Sequence, residues 1–152
     1  MSLPAYSLYE GCFATWAPNL YAYYVQHMQP LETKYRHLKR NFLNSIFACC
    51  TFNFGPHACS FDPTDPANLP FGWCAITALG PFDPTRGGHL VLWDLKLVIE
   101  FPSGSTILIP SATLQHSNVA IQTSYLSLNT LQEAFFGGST MVFNPLRIIF
   151  LG

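Results

Sequence analysis

Residues His89 to Phe101 carry the clearest periodicity in this chain, and a chain that carries it has to build a sheet. Val91, Trp93, Leu95, Leu97, Ile99 and Phe101 fall on one parity. Asp94, Lys96 and Glu100 fall on the other, mixed with Leu90, Leu92 and Val98. Successive side chains of a strand point to opposite faces, so this pattern predicts a strand with one fully apolar side. Thirteen residues exceed an ordinary strand, which predicts a bend or bulge near Asp94. Pro102-Ser103-Gly104-Ser105 has turn chemistry, and Thr106 to Pro110 is expected to return as the partner strand, with His116 after a short loop.

The segments before this ribbon fit the same architecture. Ile46 to Phe54 is rich in aromatic and small apolar residues and stops at Gly55-Pro56. Asp62-Pro63-Thr64-Asp65-Pro66 is a turn, Gly72 to Gly80 reads as extended, and Asp83 to Gly88 is a second loop. Upstream, Ala17 to Asn41 is helical in pattern: Leu20, Tyr23, Tyr24, His27 and Met28 recur at three- and four-residue intervals on one face. Pro30 should end or kink that helix. A second helical stretch then carries Leu31, Tyr35, Leu38 and Phe42, with basic residues opposite. The aromatic stripe is expected to pack on a sheet. Antiparallel strands preceded by helices imply a β barrel or sandwich with helices outside it.

Composition narrows the class. A length of 152 residues suits one domain, and 49% hydrophobic with 10% charged residues is too apolar for disorder. A net charge of −1 provides no global attraction for nucleic acid. Lys34, Arg36, Lys39 and Arg40 nevertheless supply four of the seven basic residues. Such a cluster either contacts phosphates or forms the solvated face of a helix. Cys12, Cys49, Cys50, Cys59 and Cys74 are odd in number with two adjacent, which predicts reduced thiols in an intracellular protein rather than a disulfide framework. His57-Ala58-Cys59 lacks a second Cys/His pair for zinc. No signal peptide is apparent. No run reaches the roughly 18 apolar residues of a membrane span, so a soluble protein is expected.

Asp65 and His116 suggest a chemistry. Non-haem Fe(II) oxygenases hold iron with two histidines and one carboxylate on one face of the ion, leaving positions for substrate and oxygen. In the jelly-roll enzymes the first His and the carboxylate sit two apart at a strand end, and the second His comes from a later strand. An acid at the start of one β segment and a histidine 51 residues later match two of those places. Taken singly, Asp65 before Pro-Ala-Asn also suits a turn or cap, and His116 a hydrogen-bonded loop histidine.

A wider resemblance joins these residues. Leu38-Lys39-Arg40-Asn41-Phe42, Asn53-Phe54-Gly55-Pro56, the run Asn68 to Gly80, Gly87-Gly88-His89-Leu90-Val91-Leu92-Trp93-Asp94-Leu95-Lys96, the run Phe101 to Ser111, and His116-Ser117-Asn118 together resemble a basidiomycete family. That family is placed in the TET/JBP branch of the 2-oxoglutarate- and Fe(II)-dependent dioxygenases. The resemblance covers residues 15 to 121. It implies a double-stranded β-helix, Fe(II) and 2-oxoglutarate as cofactors, DNA as partner and a nuclear location. The implied reaction is oxidation of the methyl group of 5-methylcytosine or thymine, on a base flipped out of the duplex. Carried over by position, Asp65 is the carboxylate and His116 the distal histidine. The proximal histidine falls on Pro63, which cannot ligate a metal. His57 and His89 lack the two-residue relation to Asp65. His89 is expected to open a strand, and Gly87-Gly88 to permit a tight backbone turn rather than bind phosphate, since no helix follows.

After Tyr125 the resemblance stops. The arginine expected to clamp the keto acid is missing, with Ser124 near its place. Back-translating Leu126 to Phe143 one base out of register can restore a family-like run. The hypothesis is therefore a one-base frameshift near Tyr125; coding DNA that encodes the family sequence in register through this region would refute it. The domains expected are an incomplete dioxygenase-like unit over 1–125, helical over 15–43 with a β core over 46–121, and a non-family tail over 126–152. Such a tail is expected to leave an open barrel with an unpaired, aggregation-prone edge; the alternative is a helix over Ser127 to Phe136 that covers the barrel. The fold class expected is α+β, mainly β: a truncated double-stranded β-helix (jelly roll) with N-terminal helices. The function expected is that of the dioxygenase, inactive in this copy, or else of a non-catalytic remnant or binding module of transposon-associated origin.

Overall fold

The computed structural model describes residues 5–34, 42, 45–54, 64–121, 128–134, 141–143 and 148–150. Among these residues two helices lead: α1, Ala5–Trp16, and α2, Pro18–Lys34. Nine strands follow among the described residues: β1 Cys49–Phe54, β2 Cys74–Ala78, β3 Leu90–Leu92, β4 Leu97–Ile99, β5 Thr106–Ile109, β6 His116–Asn118, β7 Leu128–Ala134, β8 Met141–Phe143 and β9 Ile148–Phe150. They form a five-stranded sheet in the order β1-β7-β2-β5-β8 and a four-stranded sheet in the order β6-β3-β4-β9. All strand pairs among the described residues are antiparallel. The chain is thus a small α+β protein, and the two sheets do not close into a barrel among the described residues. No described helix is long and apolar enough to cross a membrane.

Strand alternation builds three layers from this order. Cys74, Ile76 and Ala78 of β2 and Ile107 and Ile109 of β5 meet Leu90, Leu92, Ile99, Phe101 and Leu114 in one core between the sheets. The intervening Ala75 and Leu108 point the other way and meet Phe13, Tyr24, Met28, Ile46 and Phe47. The five-stranded sheet is therefore the middle layer, with helices on one face and the second sheet on the other.

The helical stripe largely packs as its spacing requires. Tyr24 and Met28 are buried, and Leu20 and Tyr23 lie against the same cluster. His27 departs from it: the ring is exposed, stacks on Tyr23 with centroids 3.9 Å apart, and places Nδ1 2.7 Å from the Tyr23 carbonyl. The helix runs through Pro30 to Lys34 rather than ending at the proline. Helix α1 has little signature in the sequence, because Ala5–Trp16 has neither an acidic first turn nor a basic last turn and contains Gly11.

The ribbon is the largest correction. His89–Phe101 is a hairpin: Leu92 opposes Leu97 and Leu90 opposes Ile99 across a turn at residues 93–96. Lys96 closes that turn at φ 53°, a left-handed conformation uncommon outside Gly, Asn and Asp. The reversal moves the core face to Leu90, Leu92, Leu97 and Ile99, while Trp93 and Leu95 are 51% and 53% exposed at the tip. Strand β5 pairs with β2 and β8 rather than with the ribbon. The turn at 102–105, closed by Ser105 N–H donating to Pro102 O (3.0 Å) with Gly104 at φ 86°, carries the chain from one sheet to the other.

The tail also differs from expectation. Residues 128–134 form a strand and not a helix, and β7 sits between β1 and β2 with Thr51 and Ile76 both opposing Gln132. Strand β8 pairs with β5 and β9 with β4. These edges are paired, because the backbone groups of a strand edge accept any extended partner in register.

Candidate functional site

Asp65 lies in the loop that precedes β2, and a backbone bond docks that loop on the end of β5: Asp65 N–H donates to Ser111 O at 2.7 Å. Asn68 closes the local turn by donating its N–H to Asp65 O at 2.9 Å. Its side-chain amide donates to Ser111 Oγ at 2.7 Å and lies 3.4 Å from Asp65 Oδ2. Ser111 is fully buried, so the carboxylate is referenced to a fixed point in the core.

His116 reaches the same place from the next turn of chain. Thr113 and Leu114 both donate N–H to Pro110 O, at 2.9 and 2.6 Å, which folds residues 110–115 back on themselves. His116 then opens β6 opposite Leu92 and shares the inward face of that core residue. It is 5% exposed. Its Nδ1 lies 2.9 Å from Leu114 O. A carbonyl only accepts, so Nδ1 carries a proton, and in the neutral ring Nε2 presents a lone pair.

That lone pair faces the acid. His116 Nε2 and Asp65 Oδ2 are 3.9 Å apart, too far for a hydrogen bond. Two donors bound to one first-row divalent ion at about 2.1 Å each lie about 3.0 Å apart at the right angle of a facial triad and about 3.4 Å apart at a tetrahedral angle, so at 3.9 Å the pair would have to close in to share a cation. The carbonyl on Nδ1 is the usual orienting partner of a ligating imidazole. The set remains short of a facial triad. Pro63, the position of the expected third ligand, lies outside the described residues, as do Ser124, His57, Cys59, Arg36, Lys39 and Arg40. Among the described residues no three His, Cys, Asp or Glu side chains gather as a metal site. Two donors and a proline do not fit the three-ligand iron centre.

His89 is half-buried and accepts the Val119 N–H on its carbonyl at 2.8 Å, just before β3 begins. The glycines before it serve close approach. A Cβ on Gly87 would stand 2.6 Å from Ala120 O; Gly88 has φ +73°, and a Cβ there would stand 2.7 Å from the Phe82 ring. A separate small cavity of about 120 Å³ lies between Phe82, Asp83, Arg86 and Ile121. There, hydrogen bonds from the Thr85 hydroxyl and backbone, aided by Arg86, hold the Asp83 carboxyl below its ordinary range.

Sequence reasoning missed Asn68, Ser111 and Leu114 O as supports of the pair. Only Asn68, three residues after Asp65, left a local turn signal. No protein-family model matches the chain, and neither a curated protein nor a solved structure matches it.

Proposed function

We propose that this chain is a catalytically silent derivative of a 2-oxoglutarate- and Fe(II)-dependent dioxygenase acting on a methylated nucleobase in DNA. The observation that carries this reading is the meeting of Asp65 Oδ2 and His116 Nε2 at 3.9 Å, from positions 51 residues apart. An imidazole with its proton held on the far nitrogen and a carboxylate fixed through Asn68 are what a metal-binding ancestor needs at that spot. The two antiparallel sheets packed across one core, with helices on the outer face of the first, are read as a truncated jelly roll. Iron would supply oxygen activation in the ancestor; here Asp65 and His116 provide two ligands where it needs three. Pro63 replaces the third, and Ser124 stands near the place of the keto-acid arginine. What persists is a scaffold whose DNA contacts would fall to Lys34, Arg36, Lys39 and Arg40, in a nuclear protein.

The test is anaerobic titration with Fe(II) and 2-oxoglutarate, followed by assay on a 5-methylcytosine duplex. No visible charge-transfer band and no keto-acid consumption are expected. Pro63→His alone should leave turnover absent, because the arginine is still lacking. Tight ferrous binding with keto-acid consumption by the unaltered chain would overturn the reading.

A further inference from the structure

We propose that Asp94 is a positioning residue for His116, acting through the peptide that joins Leu114 to Gln115. Gln115 N–H donates to Asp94 Oδ2 at 2.7 Å, and His116 Nδ1 donates to Leu114 O at 2.9 Å. The amide N–H and the carbonyl belong to one planar unit, so orienting the first orients the second. A carboxylate on the N–H also polarises the amide and strengthens its oxygen as an acceptor.

The same hairpin tip holds the chain on the other side of His116. Trp93 N–H donates to Gln115 O at 2.9 Å, and its indole Nε1 donates to Ser117 Oγ at 3.1 Å. The residues on both sides of the histidine are thus tied to the β3–β4 turn, a segment with no atom in the Asp65–His116 contact. Asp94 keeps the imidazole proton on Nδ1 and thereby keeps the Nε2 lone pair turned toward Asp65. The turn at 93–96 is a support of the site and not only a loop. The inference rests on reading Asp65 and His116 as a site, not on any turnover there.

The test is the tautomer of His116 in the full ¹⁵N-labelled chain, read from long-range ¹H–¹⁵N correlations without metal or keto acid. Spectra are compared at a pH where the ring's own ¹⁵N shifts show it to be neutral. The unaltered chain should hold the Nδ1–H form. Asp94→Ala should shift the ratio toward Nε2–H by up to about fivefold, the factor reached if the whole His116–Leu114 hydrogen bond is lost. Asp94→Asn retains an uncharged acceptor for the Gln115 N–H and should fall between the two, at about twofold. It also provides the graded comparison if the alanine variant does not fold. Unmoved His116 nitrogen shifts in either folded variant, even with a lowered melting temperature, would reduce Asp94 to a turn former and overturn the proposal. So would an Nε2–H ring in the unaltered chain. The Fe(II) titration reads the dioxygenase ancestry separately, so the two failures are distinguishable.

Discussion

Single residues set the local limits of this fold, and two glycines separate strain from crowding. Gly104 has φ +86° and open space within 4 Å of where a methyl group would stand, whereas Gly88 combines φ +73° with the Phe82 ring at 2.7 Å. Gly104→Ala should therefore cost only the left-handed backbone penalty, about 1–2 kcal/mol. Gly88→Ala should cost more, about 2–3 kcal/mol once the displaced ring is included, as measured by urea denaturation; equal losses would show that Phe82 yields freely. Lys96, at φ 53°, is the converse case. Lys96→Gly relieves the strain while loosening the unfolded chain, so stability should change by less than about 1 kcal/mol, and Lys96→Val should lose about 1–2 kcal/mol. At this scale Gly104 is legible in the sequence as part of a turn, whereas Gly87 and Gly88, expected to make a tight turn, instead permit close approach to Ala120 and Phe82. Lys96 is not legible, because lysine carries no signature of a left-handed position.

Elements are held by an aromatic joint between the helices and the middle sheet. Phe13 stacks on Trp73 with centroids 5.0 Å apart and meets Tyr24 edge-on at 5.4 Å. Phe13→Ala should destabilise the fold by about 3–5 kcal/mol in chemical denaturation. A smaller loss would mean that α1 contributes little to the core. Tyr24 adds a pH dependence. Its side chain is fully buried, and its hydroxyl donates to Trp73 O at 3.0 Å. Burial pushes its ionisation above the ordinary phenol range, with smaller contributions from Cys74 and Tyr23, against the lowering effect of the Trp73 backbone bond. The folded state then binds the proton more tightly than the unfolded one. Stability from this group is complete below the ordinary phenol value of about 10 and declines as pH rises beyond it. Tyr24→Phe should flatten the alkaline limb while lowering stability at neutral pH by about 1–3 kcal/mol, since Trp73 N–H loses its acceptor. An unchanged alkaline slope would show that another group governs it. The α2 stripe is readable from its spacing, but its facing partners, Ala75 and Leu108, lie in strands far along the chain.

The whole molecule depends on its tail more than a late, unfamiliar segment suggests. Strand β7 lies between β1 and β2, and β8 and β9 pair with β5 and β4. Removing residues 122–152 should unpair β1 and expose edges of both sheets, giving aggregation in size-exclusion chromatography and a lowered melting temperature. A monodisperse truncated chain with unchanged melting would show that the tail is a passive extension. The same scale holds the candidate site. The loop bearing Asp65 and the strand bearing His116 meet only because both dock on the end of β5, through Ser111 and the 110–115 turn.

Residue type and local period were sufficient to identify a β-rich chain, an aromatic helix face, a turn at 102–105 and two candidate ligands, because each is a short-range property. Strand order, the hairpin at 93–96, the pairing of the tail and the 3.9 Å approach of Asp65 to His116 arose from contacts between distant segments. Asn68 bonds Ser111 across 43 positions and Gln115 bonds Asp94 across 21. Hydrogen bonds of that separation form where packed sheets bring groups together, and alternation along a single strand carries no information about which neighbour it will meet.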